Sequence, residues 1–249
     1  MNTPYASSTL ADVTETIASQ MITDDKGELN PSFKAAQNSQ HKIGEMIDAE
    51  KLAHFAIPFK IPTLYALNFA NNQDTGDNIQ TLVGQLQANQ VMNFLHFSQT
   101  RKHITGIHIR KDENGFLHAK IADSLANESA ELQMVLNAIA ETNKIAHNAI
   151  IEKINSAANA EQQKLVGLVM PVYNGENFVK HVITHRQQTT NSCGFHAVVN
   201  LYALNQNPNI PDVRQFGNIL EAQLSPYQGQ SVKLNTLGNN IKNTFERGT

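Results

Sequence analysis

Residues 103–123 read HITGIHIRKDENGFLHAKIAD. From His103 to Arg110 apolar and polar positions alternate closely enough for a strand, and Phe116 to Ala122 returns as its partner. Between them Lys111-Asp112-Glu113-Asn114-Gly115 predicts a turn, and Asn-Gly is the strongest short-range hairpin signal. Two antiparallel strands follow, with His103 opening the first and Asp123 just past the end of the second. An imidazole and a carboxylate are therefore expected to meet at one end of a sheet. His108, mid-strand and nearer the turn, is expected to pack or to face solvent.

Toward the N-terminus, Asn93 to Phe97 predicts another short strand and Ile79 to Val91 a helix. Asn71 to Gly76 predicts a loop. Ile57-Pro58 and Ile61-Pro62 break the preceding stretch into extended pieces. Residues 1–50 are polar, with helical patches at Leu10 to Met21 and His41 to Leu52 and turns at Asp24 to Gly27 and Asn30 to Ser32. Toward the C-terminus, Ser129 to Lys164 carries apolar residues at helical spacing that predict two helices. Leu165 to Val172 and Phe178 to Thr184 predict strands. Cys193 opens an apolar helix, Gly194 to Leu204, stopped by Asn205 to Pro208, and 209–249 predicts one or two short helices. Helices, a strand cluster, helices, strands and a helix in that order predict the α+β class.

Hydrophobic residues at 41% and charged residues at 16% are globular proportions. The net charge of −3 offers no basic field for nucleic acid or an anionic membrane. One cysteine leaves no intramolecular disulfide and no zinc site built on two thiolates, and it suits a reducing compartment. The start of the chain carries no Sec-type signal, and no apolar run approaches the roughly 18 residues of a membrane span. A soluble chain acting in a cytosol, without metal or cofactor, is expected.

A free thiol titrates near about 8.5, and a helix N-terminus or a neighbouring imidazolium lowers that value. Cys193 stands at such a terminus, where the helix dipole is positive. Thr189 to Ser192 supply residues able to cap it, and Gly194 lets backbone approach a substrate closely. Taken alone, a lone cysteine is more often a small buried hydrophobe. The only histidine after Cys193 is His196, on the same helix and poorly placed as a base, so a cysteine-first, histidine-later order is excluded. Any base lies upstream. His103, with Asp123 to orient it, is the leading candidate. His181 and His185 are rivals without an evident acid. Singly, His103 could cap a sheet edge, Asp123 could serve a turn, and Gln187 and Gln188 could be solvated loop.

Together these segments resemble the clan CE cysteine peptidases, which include the Ulp/SENP ubiquitin-like proteases, adenovirus proteinase and bacterial effector deubiquitinases. The shared pattern is a histidine starting a strand (His103), Asp-Ser-Leu after the next strand (Asp123-Ser124-Leu125), and a glutamine six residues before Cys-Gly (Gln187, Cys193-Gly194). The resemblance covers roughly 93–205. It implies a central mixed sheet flanked by helices, a helical N-terminal recognition region over 1–90, a peptidase core over 91–249, and a helical insert near 127–163. The chain departs from the pattern after the histidine, where Ile104 replaces the usual Trp, and before the cysteine, where Ser192 replaces the frequent Asp.

The resemblance implies that Cys193 attacks a carbonyl, His103 moves the proton and Asp123 orients the imidazole. Gln187 and the Cys193 N–H would bind the oxyanion. It also implies cleavage after the Gly-Gly tail of ubiquitin or a ubiquitin-like protein. The Asn/Gln-rich, Trp-free composition suggests a bacterium, hence an effector secreted into a host cell. One alternative is a YopJ-like acetyltransferase using the same three residues. Its inositol hexakisphosphate activator calls for clustered Lys and Arg, and the 19 here are scattered along the sequence; its acid is usually Glu. A second alternative is a binding protein with Cys193 as core.

Overall fold

Ile104 on one side and Ile107 and Ile109 on the other are all buried, so the strand His103–Lys111 lies inside a sheet covered on both faces. This computed structural model describes residues 21–31, 39–68, 79–98, 102–125, 130–156, 164, 178–182 and 191–248. Its main sheet holds six strands: β1 (Met21–Thr23), β3 (Leu64–Asn68), β4 (Val91–Ser98), β5 (His103–Lys111), β6 (Leu117–Ala122) and β7 (Val179–His181), neighbours in that order. β3–β4 and β6–β7 run parallel and the other pairs antiparallel. The sheet is mixed and flanked by helices, as expected. β2 (Gln40–Lys42) pairs separately with β8 (Ser231–Lys233).

One face of the sheet receives α4 (Cys193–Gln206), backed by α1 (Ala49–Ala56), α5 (Arg214–Leu224) and α6 (Leu234–Gly248). Leu64, Leu95 and Ile104 meet Ala197, Val198 and Leu201 there, with Phe55 and Phe195 edge-on behind them at 4.7 Å between centroids. The other face receives α2 (79–84) and α3 (Ala130–Ser156), through Ile79, Leu82, Val135 and Ile139 against Phe94, Ile107 and Ile121. Every residue of α4 from Cys193 to Leu204 is buried, as a helix apolar all round requires.

Several expectations change. His41 to Leu52 is not one helix: Gln40–Lys42 is a strand and the helix begins at Ala49, where Asp48 caps it by accepting from the Lys51 N–H at 2.8 Å. Met21 opens a strand, and the rest of the patch from Leu10 lies outside the described residues. The described part of 1–90 thus contributes strands as well as helices. The helix from Ile79 stops at residue 84, and Val91 starts β4. Within the described part of 129–164 there is one helix, Ala130–Ser156, where two were expected. The reason is Asn143, buried mid-helix. Its Oδ1 accepts from the Leu117 N–H at 2.6 Å and its Nδ2 donates to the Leu117 carbonyl at 3.0 Å, so it completes the hydrogen bonding at the start of β6. The strand expected at Leu165 to Val172 and the loop at Asn71 to Gly76 lie outside the described residues.

The predicted hairpin is present. Asp112 Oδ1 accepts from the N–H groups of Asn114 and Phe116 at 2.9 and 3.0 Å, and Gly115 takes φ +91°. The basic residues, scattered in sequence, are not all scattered in space: strand register sets Arg110, Lys120 and Lys180 around one hollow. No helix among the described residues is long and apolar enough to cross a membrane.

Candidate active site

The hairpin register pairs Gly106 with Ala122, so β5 runs on past β6 toward its own first residue, His103, while the chain leaving β6 turns at Asp123. The two side chains meet there, at the end of the sheet. His103 Nε2–H donates to Asp123 Oδ1 at 2.6 Å, and both residues are only 2% exposed. The same oxygen accepts from the Leu125 N–H at 2.8 Å, which fixes the carboxylate on its turn. With Nε2 holding the proton, Nδ1 carries the lone pair.

Nδ1 has no hydrogen bond of ordinary geometry. The Cys193 thiol stands beside the ring, close enough to favour its protonated form. Burial opposes a charge on His103. The Asp123 hydrogen bond and then the Cys193 contact outweigh burial, so the imidazole is pushed up to about 9. The imidazolium is thus the form of His103 that the surroundings support.

Two glycines let the sulfur arrive. A Cβ on Gly106 would stand 3.0 Å from the Ala197 carbonyl oxygen and 3.1 Å from Leu201 Cγ, so α4 rests directly on the β5 backbone. A Cβ on Gly194 would stand 2.8 Å from Ile47 Cγ2 and 3.1 Å from Ile104 Cδ1. Gly194 was expected to admit substrate; it instead admits the packing of Ile47, Leu52 and Ile104 against the first turn of α4. Ile104, the residue in place of the usual Trp, is one wall of that contact. Cys193 opens the first turn of α4, whose N–H groups have no acceptor within the helix.

Ser192 does not cap α4 with its side chain. Its Oγ–H donates to Glu221 Oε1 of α5 at 2.6 Å, and His196 Nε2–H donates to the same oxygen at 2.7 Å. Glu221 therefore ties the residue before the thiol and the residue one turn after it to a neighbouring helix. Ser192 and His196 are 2% and 0% exposed. The sequence offered no direct signal for this link, because Glu221 lies on an amphipathic helix far along the chain; the unusual Ser192 was the only clue. His196 is thus engaged away from the thiol, in keeping with its exclusion as base.

His103, Asp123 and Cys193 are brought together. Gln187 and Gln188, and the rival His185, lie outside the described residues, and His181 ends β7. Cys193 itself is 2% exposed and belongs to the core cluster of Leu52, Phe55 and Ile104. The triad geometry can support nucleophilic attack by sulfur with general acid–base assistance from His103. Among the described residues no group of three or more His, Cys, Asp or Glu side chains could hold a metal.

No family model matches the chain. No curated protein matches it in sequence. Among solved structures it is similar to one described as the crystal structure of the de-sumoylating protease, at 13% identity and a TM-score of 0.38, over 92% of this chain and 85% of that one.

Proposed function

We propose that this protein is a cysteine peptidase of the clan CE type, hydrolysing peptide or isopeptide bonds after the C-terminal Gly-Gly of ubiquitin or a ubiquitin-like protein. The observation that carries the proposal is the buried His103–Asp123 pair, bonded through Nε2, with the Cys193 thiol at the start of α4 beside the ring. Cys193 sulfur attacks the scissile carbonyl as the thiolate. Imidazolium His103 then gives its proton to the leaving amine, and the C–N bond breaks to leave a thioester. Neutral His103 takes a proton from water, hydroxide adds to the thioester, and the acid product leaves with the thiolate restored. Asp123 holds the ring and offsets its charge throughout. Gln187 and the Cys193 N–H serve as oxyanion donors in this proposal.

The substrate class rests on the resemblance in sequence pattern, and the effector role on composition. Propargyl probes of ubiquitin and of its relatives test both reaction and substrate. A covalent adduct on the wild type and none on Cys193→Ala is expected; no adduct with any probe sinks the substrate class. Iodoacetamide at mildly acidic pH separates the enzyme from a binding protein, since a buried structural thiol stays unlabelled there. Acetylation of the chain or of added protein by acetyl-CoA, seen by mass spectrometry, would replace hydrolysis with acyl transfer.

A further inference from the structure

On the α4 face of the sheet, toward the C-terminal end of β5, the cross-strand neighbours are nearly all basic. His108 pairs with Lys120, Lys120 with Lys180, and Arg110 with His118. Like charges set opposite each other across strands cost stability. An ordinary surface relieves that cost with interleaved carboxylates, but among the described residues the lining holds no Asp or Glu. Asp112 reaches only the His118 corner, accepting from Nε2 at 2.8 Å. Lys120 Nζ donates to the Ile210 carbonyl at 2.9 Å, and Arg110 and Lys180 form no ion pair among the described residues.

These side chains surround a cavity of about 190 Å³, floored by Ala119 and walled by Phe178 and the Pro208-Asn209 turn. A second observation points into it. His108 is 3% exposed, and Asn93 Oδ1 accepts from its Nδ1 at 2.9 Å. That oxygen also accepts from Asn205 Nδ2 at 2.9 Å, so it is an acceptor and His108 Nδ1 holds the proton. Nε2 is left buried with its lone pair and no partner among the described residues. Burial, with Lys120 and Arg110 nearby, pushes the ring down to about 4, and burial, Lys180 and Arg110 also push Lys120 down. The hollow thus disfavours positive charge on His108 and Lys120.

We propose that the hollow of His108, Arg110, Lys120 and Lys180 is a binding site for a phosphate-bearing small molecule. A dianionic group offsets the three cations at once and accepts from the Arg110 fork and the lysine ammoniums. Where the dianion keeps a proton, as hydrogen phosphate does, its P–OH donates to His108 Nε2, which has no partner among the described residues. The recess suits a compact anion better than the side chains of a flat acidic protein surface. It lies beyond the far end of α4 from Cys193, roughly 20 Å along a helix of 14 residues, so it stands whether or not the thiol is a nucleophile.

Calorimetric titration of the full chain with orthophosphate and pyrophosphate at fixed ionic strength and pH 7 tests this. Saturable binding is expected, tighter for pyrophosphate, and Arg110→Gln or Lys180→Gln should each weaken it about tenfold or more. Both variants should unfold in urea no earlier than the wild type, because each removes repulsion. Lys144→Gln, an exposed charge paired with Glu141 on α3, and Cys193→Ala should bind as the wild type does. Absence of saturable binding, or equal weakening by Lys144→Gln, overturns the site. An oligoglutamate peptide that binds through Arg110 and Lys180 while pyrophosphate fails to compete overturns the phosphate assignment.

Discussion

Replacing Asp123 by Asn removes the charge facing His103 but keeps an oxygen able to accept from Nε2. In the native protein burial works against the imidazolium, and Asp123 with Cys193 overcomes it to hold the ring at about 9, against an ordinary 6.5. At about 1.4 kcal/mol per pH unit, that difference is roughly 3 kcal/mol of preference for the charged ring, shared by the carboxylate and the thiol. Without the carboxylate the value moves back toward 6.5. At pH 8 the protonated fraction then falls from roughly nine-tenths to a few per cent, a loss of about thirtyfold; at pH 6 the loss is less than twofold. The assay is kcat/KM on a fluorogenic ubiquitin C-terminal substrate from pH 5.5 to 10. The alkaline limb should lie near 9 in the wild type and shift acidward in Asp123→Asn, with the deficit widening as pH rises. Stability follows the same sign. A raised folded value stabilises fully below about 6.5 and is lost as pH climbs through about 9. Urea unfolding should therefore show the wild type losing up to roughly 3 kcal/mol more than the variant between pH 6 and 9.5. An alkaline limb that does not move, or a deficit equal at pH 6 and 8, refutes the account of His103.

Gly194→Ala should push the first turn of α4 off Ile47 and Ile104, costing about 1–3 kcal/mol in urea unfolding and lowering kcat/KM; unchanged stability and turnover would show that the contact has slack. Glu221→Ala leaves the Ser192 hydroxyl and the His196 N–H without their acceptor and should cost about 1–3 kcal/mol. Glu221→Gln, which keeps an acceptor oxygen, should recover most of the stability, and failure to do so would mean that the charge and not the hydrogen bonding matters. Asn143→Ala strips two hydrogen bonds from the Leu117 backbone and should cost about 1–3 kcal/mol, with faster amide hydrogen exchange at Leu117 as the local readout.

The hairpin and its two candidate residues were legible because every signal lay within 21 consecutive residues: period-two alternation, the Asn-Gly turn, and His103 and Asp123 at matching ends. The apolar run opened by Cys193 was equally plain. What could not be read was set by distant partners. Asn143 carried no mark of its role, which is to bond a strand 26 residues earlier. His41 and Lys42 looked helical because their strand character comes from pairing with Val232 and Ser231 near the other end of the chain. The basic hollow was invisible for a similar reason: Lys120 and Lys180 become neighbours only through the parallel β6–β7 register. Glu221 carried no local mark, since nothing near it in sequence says that Ser192 is its partner.

The pieces of the candidate site arrive at different times as the chain is made. His103 and Asp123 are 20 residues apart on one hairpin, so their loop closes cheaply and early. Cys193 comes from much farther along, and the core around it is completed by Leu234, Leu237 and Ile241 of α6. A chain emerging N-terminus first therefore displays its thiol to solvent before the helix that encloses it has left the ribosome. During that interval the sulfur is more open to oxidation than in the finished fold, where it is 2% exposed. Yield of active protein should then depend on the reducing power present during synthesis more than on that present afterwards.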